Sequence, residues 1–508
     1  MTAKEFLNSA LSEKRANDRQ LLVQLGQCTA AVGATEKYSL LRESLPEHVD
    51  IGVAGCDGAC FATPKYHSTE SYKEYAEGMD IFWTLDPKVA GFVDSQTRIA
   101  MSHAGRIGVE DIHGYIRNEG FLGLANSLMQ PPKYTVDSVD ESGLRGRGGA
   151  YFPVSLKWRS ALAVDSSERH LVVNAEEGEP GVFKDRHIME SVPFRLIEGT
   201  VIAAYATNST SVRIYVNAEA HLAFERLERA LDICRMSGFL GSNIMGTEFS
   251  IDIQLLKGAG GYVCGEESTL LNTIEGKRRE PRLRPPFPTE SGLNQKPTII
   301  NNVETLSNIP WIMANGADAY RKIGPNDAPG TKVISLSGAL NTPGVIEVPM
   351  GSNLRNLIEI YGGISSVAEL SGIAIGGPSS GVIRADEADI EILPGLLDGK
   401  SVMLGAGGVI ALSKDTTILS VIRKLSEYNA KESCGKCTPC REGTVRILDL
   451  LDNGHGSPSS VKWDDIGQLA EVVNAASLCG LGQAAGNPVL SFMTHFSESV
   501  GSSERSET

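Results

Sequence analysis

Four cysteines near the C-terminus have a spacing that suits an iron–sulfur cluster. Cys434, Cys437 and Cys440 follow one another at three-residue steps, and Cys479 comes after an intervening helical pattern. A cubane [4Fe–4S] cluster needs one thiolate for each of its irons, whereas four-cysteine zinc sites typically use two separated pairs. The spacing therefore favours a [4Fe–4S] cluster over a structural zinc ion.

Two glycine-rich stretches in the centre of the chain could hold a phosphate-bearing ligand. Residues 143–149 read GLRGRGG, and residues 257–267 read KGAGGYVCGEE between a predicted strand and a predicted helix. Glycine lets the backbone approach a phosphate, and N–H groups at a helix N-terminus favour an anion. Arg145, Arg147 and Lys157 add positive charge. An ordinary basic surface turn explains the first stretch equally well, and the second is not the dinucleotide fingerprint GxGxxG.

Three carboxylates follow an apolar strand that ends at Val173. They are Glu176, Glu177 and Glu179. A solvated turn would explain them, but carboxylates at the ends of strands beside glycine loops could instead bind ribose hydroxyls and flavin edges.

The elements that must position these residues fall into four stretches and a tail. Strand and helix patterns alternate over the longest stretch, which predicts a parallel sheet covered by helices. The sequence predicts an α/β multidomain protein with a small α/β unit at 1–95, a sheet-and-helix domain at 105–325, a small β module with a loop-rich connector at 331–412, a helical domain at 415–496 and a flexible tail at 497–508.

Composition limits the function classes. The 508 residues include 47 basic and 62 acidic ones, for a net charge of −15, which disfavours binding to nucleic acid or to anionic membranes. The start MTAKEFLNSALSEKR lacks the apolar stretch of a secretory signal, and the weakly polar run 401–413 is too short to span a bilayer. We expect a cytoplasmic protein with protein partners, no nucleic-acid binding and no direct membrane insertion.

Six motifs occur in a fixed order between residues 106 and 496: GLRGRGGAYFP, NAEEGEPGVFKDR, GYVCGEES, EGKRREPRLRPPFP, NNVET and ESCGKCTPCREG. In this order they resemble the NADH-binding flavoprotein subunit of respiratory complex I, known as the 51-kDa or F subunit. The same family includes the diaphorase subunits of soluble NAD-linked hydrogenases and formate dehydrogenases. The resemblance implies a Rossmann-like domain for FMN and NADH, a β-grasp (SLBB-like) module, and a helical bundle that holds the [4Fe–4S] cluster.

The resemblance also assigns residues to each ligand. For FMN they are Gly146, Arg147, Gly148, Gly149, Lys157, Asn174, Glu176, Tyr262, Gly265, Glu266, Asn301, Asn302 and Thr305. For NADH they are Phe152, Glu179, Glu267 and Phe287. For the [4Fe–4S] cluster they are Cys434, Cys437, Cys440 and Cys479.

The nucleotide preference depends on two positions in these motifs. Glu267 should repel the 2′-phosphate of NADPH and so favours NADH. Arg284 stands where many members of the family have lysine, and it could offset part of that repulsion.

The N-terminal stretch resembles the thioredoxin-like [2Fe–2S] domain of the family's small partner subunit. That domain uses C-x4-C followed by C-x3-C; Cys56 and Cys60 match the second pair, but only Cys28 remains of the first. Because a [2Fe–2S] cluster needs four ligands, we favour a degenerate docking domain without a cluster. Another residue or a partner thiol could supply the fourth ligand.

Together these features imply an NADH dehydrogenase (diaphorase) subunit that oxidises NADH, or reduces NAD+, through FMN and passes single electrons to the cluster. Hydride would pass between NADH and FMN, so no catalytic side chain is assigned. The expected partners are a [2Fe–2S] thioredoxin-like subunit and a multi-cluster subunit. The fused N-terminal stretch favours the beta subunit of a soluble formate dehydrogenase or hydrogenase over a subunit of complex I. As a subunit of complex I, the chain would be peripheral to the membrane. The alternative of another class is a non-enzymatic assembly scaffold with a degenerate flavin site.

Overall fold

The computed structural model describes residues 2–12, 21–47, 49–68, 82–397, 399, 401–453 and 458–500. Within these residues the chain forms three β-sheets and a separate group of helices near the C-terminus. This arrangement confirms the predicted mixed α/β architecture. The predicted domain limits stay predictions.

The N-terminal unit contains a four-stranded sheet in the order β2-β1-β3-β4. Its strands are β1 Leu21–Gln24, β2 Ile51–Ala54, β3 Lys65–Ser68 and β4 Phe82–Trp83, and its helices are α1 Ala3–Ser12, α2 Gln27–Ala30, α3 Ala34–Ser44 and α4 Pro87–Asp94. Helix α1 packs on the hydrophobic core of the central unit. There the rings of Phe6 and Phe239 meet edge to face, with their centroids 5.5 Å apart. The unit is therefore anchored to the centre of the protein by its first helix.

The central unit is built on a parallel sheet in the order β7-β6-β5-β8. The strands are β5 His170–Ala175, β6 Ser211–Val216, β7 Ile253–Lys257 and β8 Thr298–Asn302. Their apolar runs reflect a parallel sheet that is covered on both faces. The apolar run 249–256 forms a strand only from Ile253 onward, because only its second half pairs with β6.

Helices surround this sheet. They are α5 Ile112–Arg117, α6 Leu122–Leu128, α7 Pro132–Ser142, α8 Val154–Leu162, α9 Lys184–Ser191, α10 Pro193–Ala206, α11 His221–Met236, α12 Glu267–Ile274, α13 Pro288–Ser291, α14 Val303–Asn315 and α15 Ala317–Arg321.

The third unit is a five-stranded mixed sheet in the order β10-β9-β13-β11-β12. Its strands are β9 Thr331–Gly338, β10 Gly344–Pro349, β11 Leu370–Ile375, β12 Gly381–Arg384 and β13 Gly408–Ser413, with the one-turn helix α16 Leu354–Asn356. The segment predicted as a loop-rich connector up to residue 412 ends in β13. This strand lies in the middle of the sheet, between β9 and β11, so the end of the connector is part of the third unit.

The C-terminal unit is helical. Its helices are α17 Ile418–Glu432, α18 Thr438–Asp452, α19 Trp463–Ala476, α20 Gly480–Ala484, α21 Asn487–His495 and α22 Ser497–Val500. Buried apolar side chains including Ile422, Ile447, Ile466 and Phe492 form its core. The predicted flexible tail begins in α22, and residues 501–508 lie outside the described residues.

Across the described ranges, none of the helices combines the length and the apolar character needed to cross a bilayer.

Candidate flavin, nucleotide and cluster site

The site residues from the centre of the chain meet at one edge of the parallel sheet. Asn174 lies in β5, and Asn301 and Asn302 lie in the neighbouring β8. Parallel strands end at the same edge, which is where α/β proteins usually bind their ligands. The Asn174 amide donates a hydrogen bond to the Gly265 carbonyl at 2.8 Å. Residues from three of the motifs are therefore neighbours.

The glycine-rich loop 146–149 runs beside this edge. A Cβ on Gly148 would lie only 3.1 Å from the Asn302 Cβ, so a side chain there would crowd the site. The Arg147 N–H donates to the Thr305 hydroxyl at 2.8 Å, which ties the loop to α14. The last glycine of the loop has φ of +116°, a conformation that favours glycine. The loop thus has the open backbone that a phosphate cradle requires.

The Arg147 side chain, in contrast, turns away from the edge and is buried. Its guanidinium donates hydrogen bonds to the carbonyls of Thr331, Pro329 and Arg145, each at 2.8 Å. The sequence predicts that this positive charge binds the FMN phosphate, but in the structure the guanidinium binds backbone carbonyls instead. The side chain fastens the glycine loop to β9, and only the Arg147 backbone remains near the loop surface.

Three carboxyl groups in the loop after β5 hold their protons unusually tightly. Burial raises the pKa of Glu176 and Glu177 to about 7 and that of Glu179 to about 8. The Glu176 Oε1 accepts a hydrogen bond from Asn217, but its Oε2 is buried and has no partner among the described residues. A buried oxygen without a partner destabilises a fold. A ligand hydroxyl, such as those of the flavin ribityl chain, would satisfy it, so the residues present fit FMN.

Of the residues assigned to NADH, Glu267 is the first residue of α12, while Glu179 lies against the third unit, where the Ser379 hydroxyl is 3.5 Å from its Oε1. The Glu267 carboxylate sits between two cations, with the Lys157 Nζ at 3.4 Å and the Arg284 Nη1 at 2.9 Å. The rings of Phe152 and Phe287 are each 51% exposed, as an aromatic stacking partner must be. The arrangement can therefore hold a polar nucleotide by stacking and by charge.

The flavin loop, residues 258–266, connects this region to the helical unit. Glu266 caps α12 by accepting the Thr269 N–H at 2.8 Å, and the Tyr262 N–H donates to Glu432 of α17 at 2.7 Å. Val263 of the same loop lines the cavity that contains the four C-terminal cysteines. One loop thus faces both the flavin region and the cysteine cluster.

The four C-terminal cysteines line a single cavity, as their spacing predicts. Cys437 immediately precedes α18, and Cys479 immediately precedes α20, so two helix N-termini begin at the sulfur ligands. Burial raises the pKa of Cys440 to about 11. A metal centre displaces such protons because it binds the thiolate form. Cys434 completes the set, whose all-thiolate chemistry fits an iron–sulfur cluster.

Three family models match the chain. The Nuo51 FMN-binding domain matches residues 139–311, the NADH-ubiquinone oxidoreductase-F iron-sulfur binding region matches 420–503, and the SLBB domain matches 333–383. These matches confirm the predicted FMN and [4Fe–4S] cofactors.

Curated relatives cover most of the chain. The NADP-reducing hydrogenase subunit HndC of Solidesulfovibrio fructosivorans is 43% identical over 79% of this chain and 82% of its own length. The F subunit of the NADH-quinone oxidoreductase of Streptomyces coelicolor is 39% identical over 76% of this chain and 86% of its own length. The F subunit of the Aquifex aeolicus enzyme is 36% identical over 80% of this chain and 94% of its own length.

The chain belongs to the family of NADH-quinone oxidoreductase F subunits. Solved structures share its fold over nearly the whole length of the chain. The NAD+-reducing [NiFe]-hydrogenase in the air-oxidised state matches with a TM-score of 0.69 and 25% identity, and covers 98% of this chain and 88% of its own. The H2-reduced state matches with a TM-score of 0.68 and 24% identity, over 98% and 87%.

The structure of this family member also contains a buried charge network that the motifs did not reveal. Glu304 contacts the Nζ of Lys184 at 2.9 Å and that of Lys332 at 2.6 Å, and Lys184 contacts Asp185 at 2.7 Å. Asp185 in turn accepts a hydrogen bond from Asn302 at 2.6 Å. Burial opposes the charge on Glu304, yet the two lysines lower its pKa overall. The network thereby positions Asn302 at the flavin edge.

One signal in the sequence could have revealed this network. Glu304 lies inside the NNVET motif, and Lys184 and Asp185 lie inside GVFKDR, where charged residues stand next to apolar ones that must be buried. Buried charges are nearly always paired.

The three N-terminal cysteines, Cys28, Cys56 and Cys60, come together in a cavity of about 190 Å³ between the N-terminal unit and α9. Cys234 and Cys264 are buried in hydrophobic cores, as expected for small apolar residues.

Proposed function

We propose that this chain is the NADH-oxidising, or NAD+-reducing, subunit of a multisubunit redox complex, with FMN and NADH at the sheet edge and a [4Fe–4S] cluster in the helical unit. The observation that carries the proposal is the flavin loop. Its Glu266 adjoins the nucleotide residue Glu267, and its Val263 lines the cavity of the cluster cysteines. Electron entry and exit are thus separated by a single loop.

The protein's own residues account for binding and orientation. The glycine loop 146–149 would hold the FMN phosphate, while Asn174, Glu176 and Asn302 would receive the polar parts of the flavin. When bound, FMN accepts a hydride from a reduced nicotinamide and releases electrons one at a time, chemistry that belongs to the cofactors. The protein supplies the stacking geometry and excludes water, and no side chain needs to remove a proton from the nicotinamide.

The cluster residues would be Cys434, Cys437, Cys440 and Cys479. Helices α18 and α20 present their N-terminal ends to these ligands, which favours a centre with net negative charge. The thiolates would hold the cluster next to Val263 of the flavin loop. This contact supports direct passage of single electrons between the two sites.

The host complex is best assigned to the soluble type. The curated relatives named above cover 76–80% of the chain, whereas the NAD+-reducing [NiFe]-hydrogenase structure covers 98% and so includes the N-terminal unit. We therefore propose a soluble hydrogenase or formate dehydrogenase as the host, with a [2Fe–2S] thioredoxin-like subunit and a multi-cluster subunit as partners. Complex I is the second candidate, because the F subunits of two NADH-quinone oxidoreductases are 36% and 39% identical to this chain.

One experiment tests the electron route. The chain is reconstituted with FMN, iron and sulfide, NADH is added anaerobically, and the reduced cluster is detected by electron paramagnetic resonance. The wild type should show both the flavin change and the cluster signal, whereas Cys479→Ser should keep the flavin change and lose the signal. Cys234→Ala, at a buried cysteine of the central hydrophobic core, serves as the matched cysteine control. A chain that binds zinc and no flavin would instead establish the scaffold alternative.

A second experiment tests the host. The full chain is purified with its partners from the native cell, and the complex is assayed for NAD+ reduction with hydrogen or formate. Activity with either substrate supports the soluble host. Quinone reduction by NADH without either activity would contradict it.

A further inference from the structure

The cavity between the N-terminal unit and α9 is not used by the proposed function. We call it the cysteine cavity, since Cys28, Cys56 and Cys60 line it. Cys28 belongs to α2, while Cys56 and Cys60 belong to the loop between β2 and β3. Its volume of about 190 Å³ is roughly six times the share of one water in the liquid. It therefore has room for a group of several atoms.

The fourth side chain of interest comes from another unit of the protein. His187 lies in α9, lines the same cavity and is 8% exposed. Its Nε2 is buried and has no hydrogen-bond partner among the described residues. A buried imidazole nitrogen without a partner destabilises the fold unless a ligand occupies it. A neutral imidazole nitrogen is also one of the commonest metal ligands in proteins.

Charges of both signs surround the cavity, because Glu190 lines it beside Arg186 and the buried Lys65 is paired with Asp57. The Arg186 guanidinium donates to the Cys28 Sγ at 3.3 Å. The buried Lys65 donates to the carbonyl of Ala59, the residue next to Cys60, at 2.8 Å. In addition, the Gly58 N–H points to the Cys56 Sγ at 3.4 Å. Such contacts stabilise sulfur ligands and tune a metal centre.

We propose that Cys28, Cys56, Cys60 and His187 bind a [2Fe–2S] cluster that bridges the N-terminal and central units. Three thiolates and one imidazole complete the four ligands that such a cluster requires. Within the described residues, no three His, Cys, Asp or Glu side chains converge closely enough for a single ion. The four residues instead line one cavity, whose volume of about 190 Å³ has room for a two-iron group. The sequence favoured a degenerate domain because its fourth ligand lies outside the N-terminal stretch.

The cluster would lie beside the flavin region. Phe183 and Arg186 line both the cysteine cavity and a second cavity that includes Glu177 and Asn217. The Arg186 N–H donates to Glu177 at 2.9 Å, and Asn217 contacts Glu176. If the proposed function holds, the cluster can take one electron from the flavin site, so that one of its two ferric ions becomes ferrous. An imidazole ligand raises the potential above that of a four-thiolate cluster, which suits an electron store.

Metal analysis of the full chain tests the proposal. The chain is reconstituted anaerobically with iron and sulfide, and both are counted per chain. The wild type should hold about six irons and six sulfides, four in the C-terminal cluster and two in the cysteine cavity. His187→Ala and Cys56→Ser should each keep only about four of each. Cys234→Ala, a buried cysteine outside the cavity, should keep all six.

The conservative variant His187→Cys separates ligation from folding. It should restore about six irons, with a lower reduction potential for the second cluster in a redox titration followed by electron paramagnetic resonance. Retention of the four C-terminal irons and of FMN shows that each variant is folded. About four irons in the wild type, six in His187→Ala, or zinc in place of the two extra irons would each overturn the proposal. Because metal content is the readout, these results do not depend on NADH oxidation.

Discussion

Replacing Arg284 with alanine tests how this chain distinguishes NADH from NADPH. The Arg284 Nη1 lies 2.9 Å from Glu267 and its Nη2 lies 3.7 Å from Glu266. The Lys157 Nζ lies 3.4 Å from Glu267. The carboxylate that should repel a 2′-phosphate is thus partly neutralised by two cations. Without Arg284, Glu267 keeps only Lys157 as a counter-ion in this group.

The magnitude follows from the exposure of the pair. The side chains of Arg284 and Glu267 are 30% and 25% exposed, so water screens part of their attraction. Ion pairs of this kind contribute up to about 1 kcal/mol. Since about 1.4 kcal/mol corresponds to a tenfold change, Arg284→Ala should raise the preference for NADH over NADPH by up to about fivefold. Glu267→Gln removes the repelling carboxylate and should lower the preference by about tenfold or more.

The assay is the kcat/KM for each nucleotide with an artificial dye as acceptor, measured on the chain reconstituted with FMN. Arg278→Ala is the matched control, because Arg278 belongs to the same EGKRRE segment, is 74% exposed and pairs with Glu280 at 3.5 Å. Its NADH-to-NADPH ratio should equal that of the wild type. An unchanged ratio in Arg284→Ala, or a shift toward NADPH, would refute the electrostatic reasoning.

Three further outcomes are expected. Glu304→Gln should cost about 3–5 kcal/mol of stability, since it leaves Lys184 and Lys332 buried without their shared partner; thermal unfolding should show a large fall in midpoint that the exposed control Glu369→Gln does not show. Burial raises the pKa of Glu179 from 4.5 to about 8, so the folded state binds this proton more tightly than the unfolded state, and stability is lost as the pH rises across this range. The unfolding midpoint of Glu179→Gln should therefore fall less between pH 5 and pH 8 than that of the wild type. Equal falls in the two proteins would contradict this. Arg147→Lys should lower the unfolding midpoint even without FMN, because the guanidinium bonds to buried carbonyls; a loss confined to the FMN-bound protein would restore the phosphate role.

Local patterns in the sequence were sufficient to predict the [4Fe–4S] cluster and the element types, whereas FMN was predicted from the resemblance of six ordered motifs to a known family. Cys437 immediately precedes α18 and Cys440 lies in its first turn, so the close spacing of Cys434, Cys437 and Cys440 belongs to one short local segment. The apolar run that ends at Val173 predicts a buried parallel strand, because a strand that is covered on both faces, as β5 is, has apolar residues on both.

Features that depend on contacts between distant segments could not be predicted in this way. The direction of the Arg147 side chain is set by carbonyls of Pro329 and Thr331, and the position of β13 is set by pairing with β9 and β11. His187 reaches the cysteine cavity only because the N-terminal unit packs on α9. No local periodicity carries such information.

The central claim is that this chain binds FMN and reduces it with NADH. The most direct test is the anaerobic absorbance spectrum of the full chain reconstituted with FMN, recorded before and after NADH is added. The account predicts a bound flavin band that NADH bleaches. A chain that fails to retain FMN, or whose flavin band is unchanged by NADH, would contradict it.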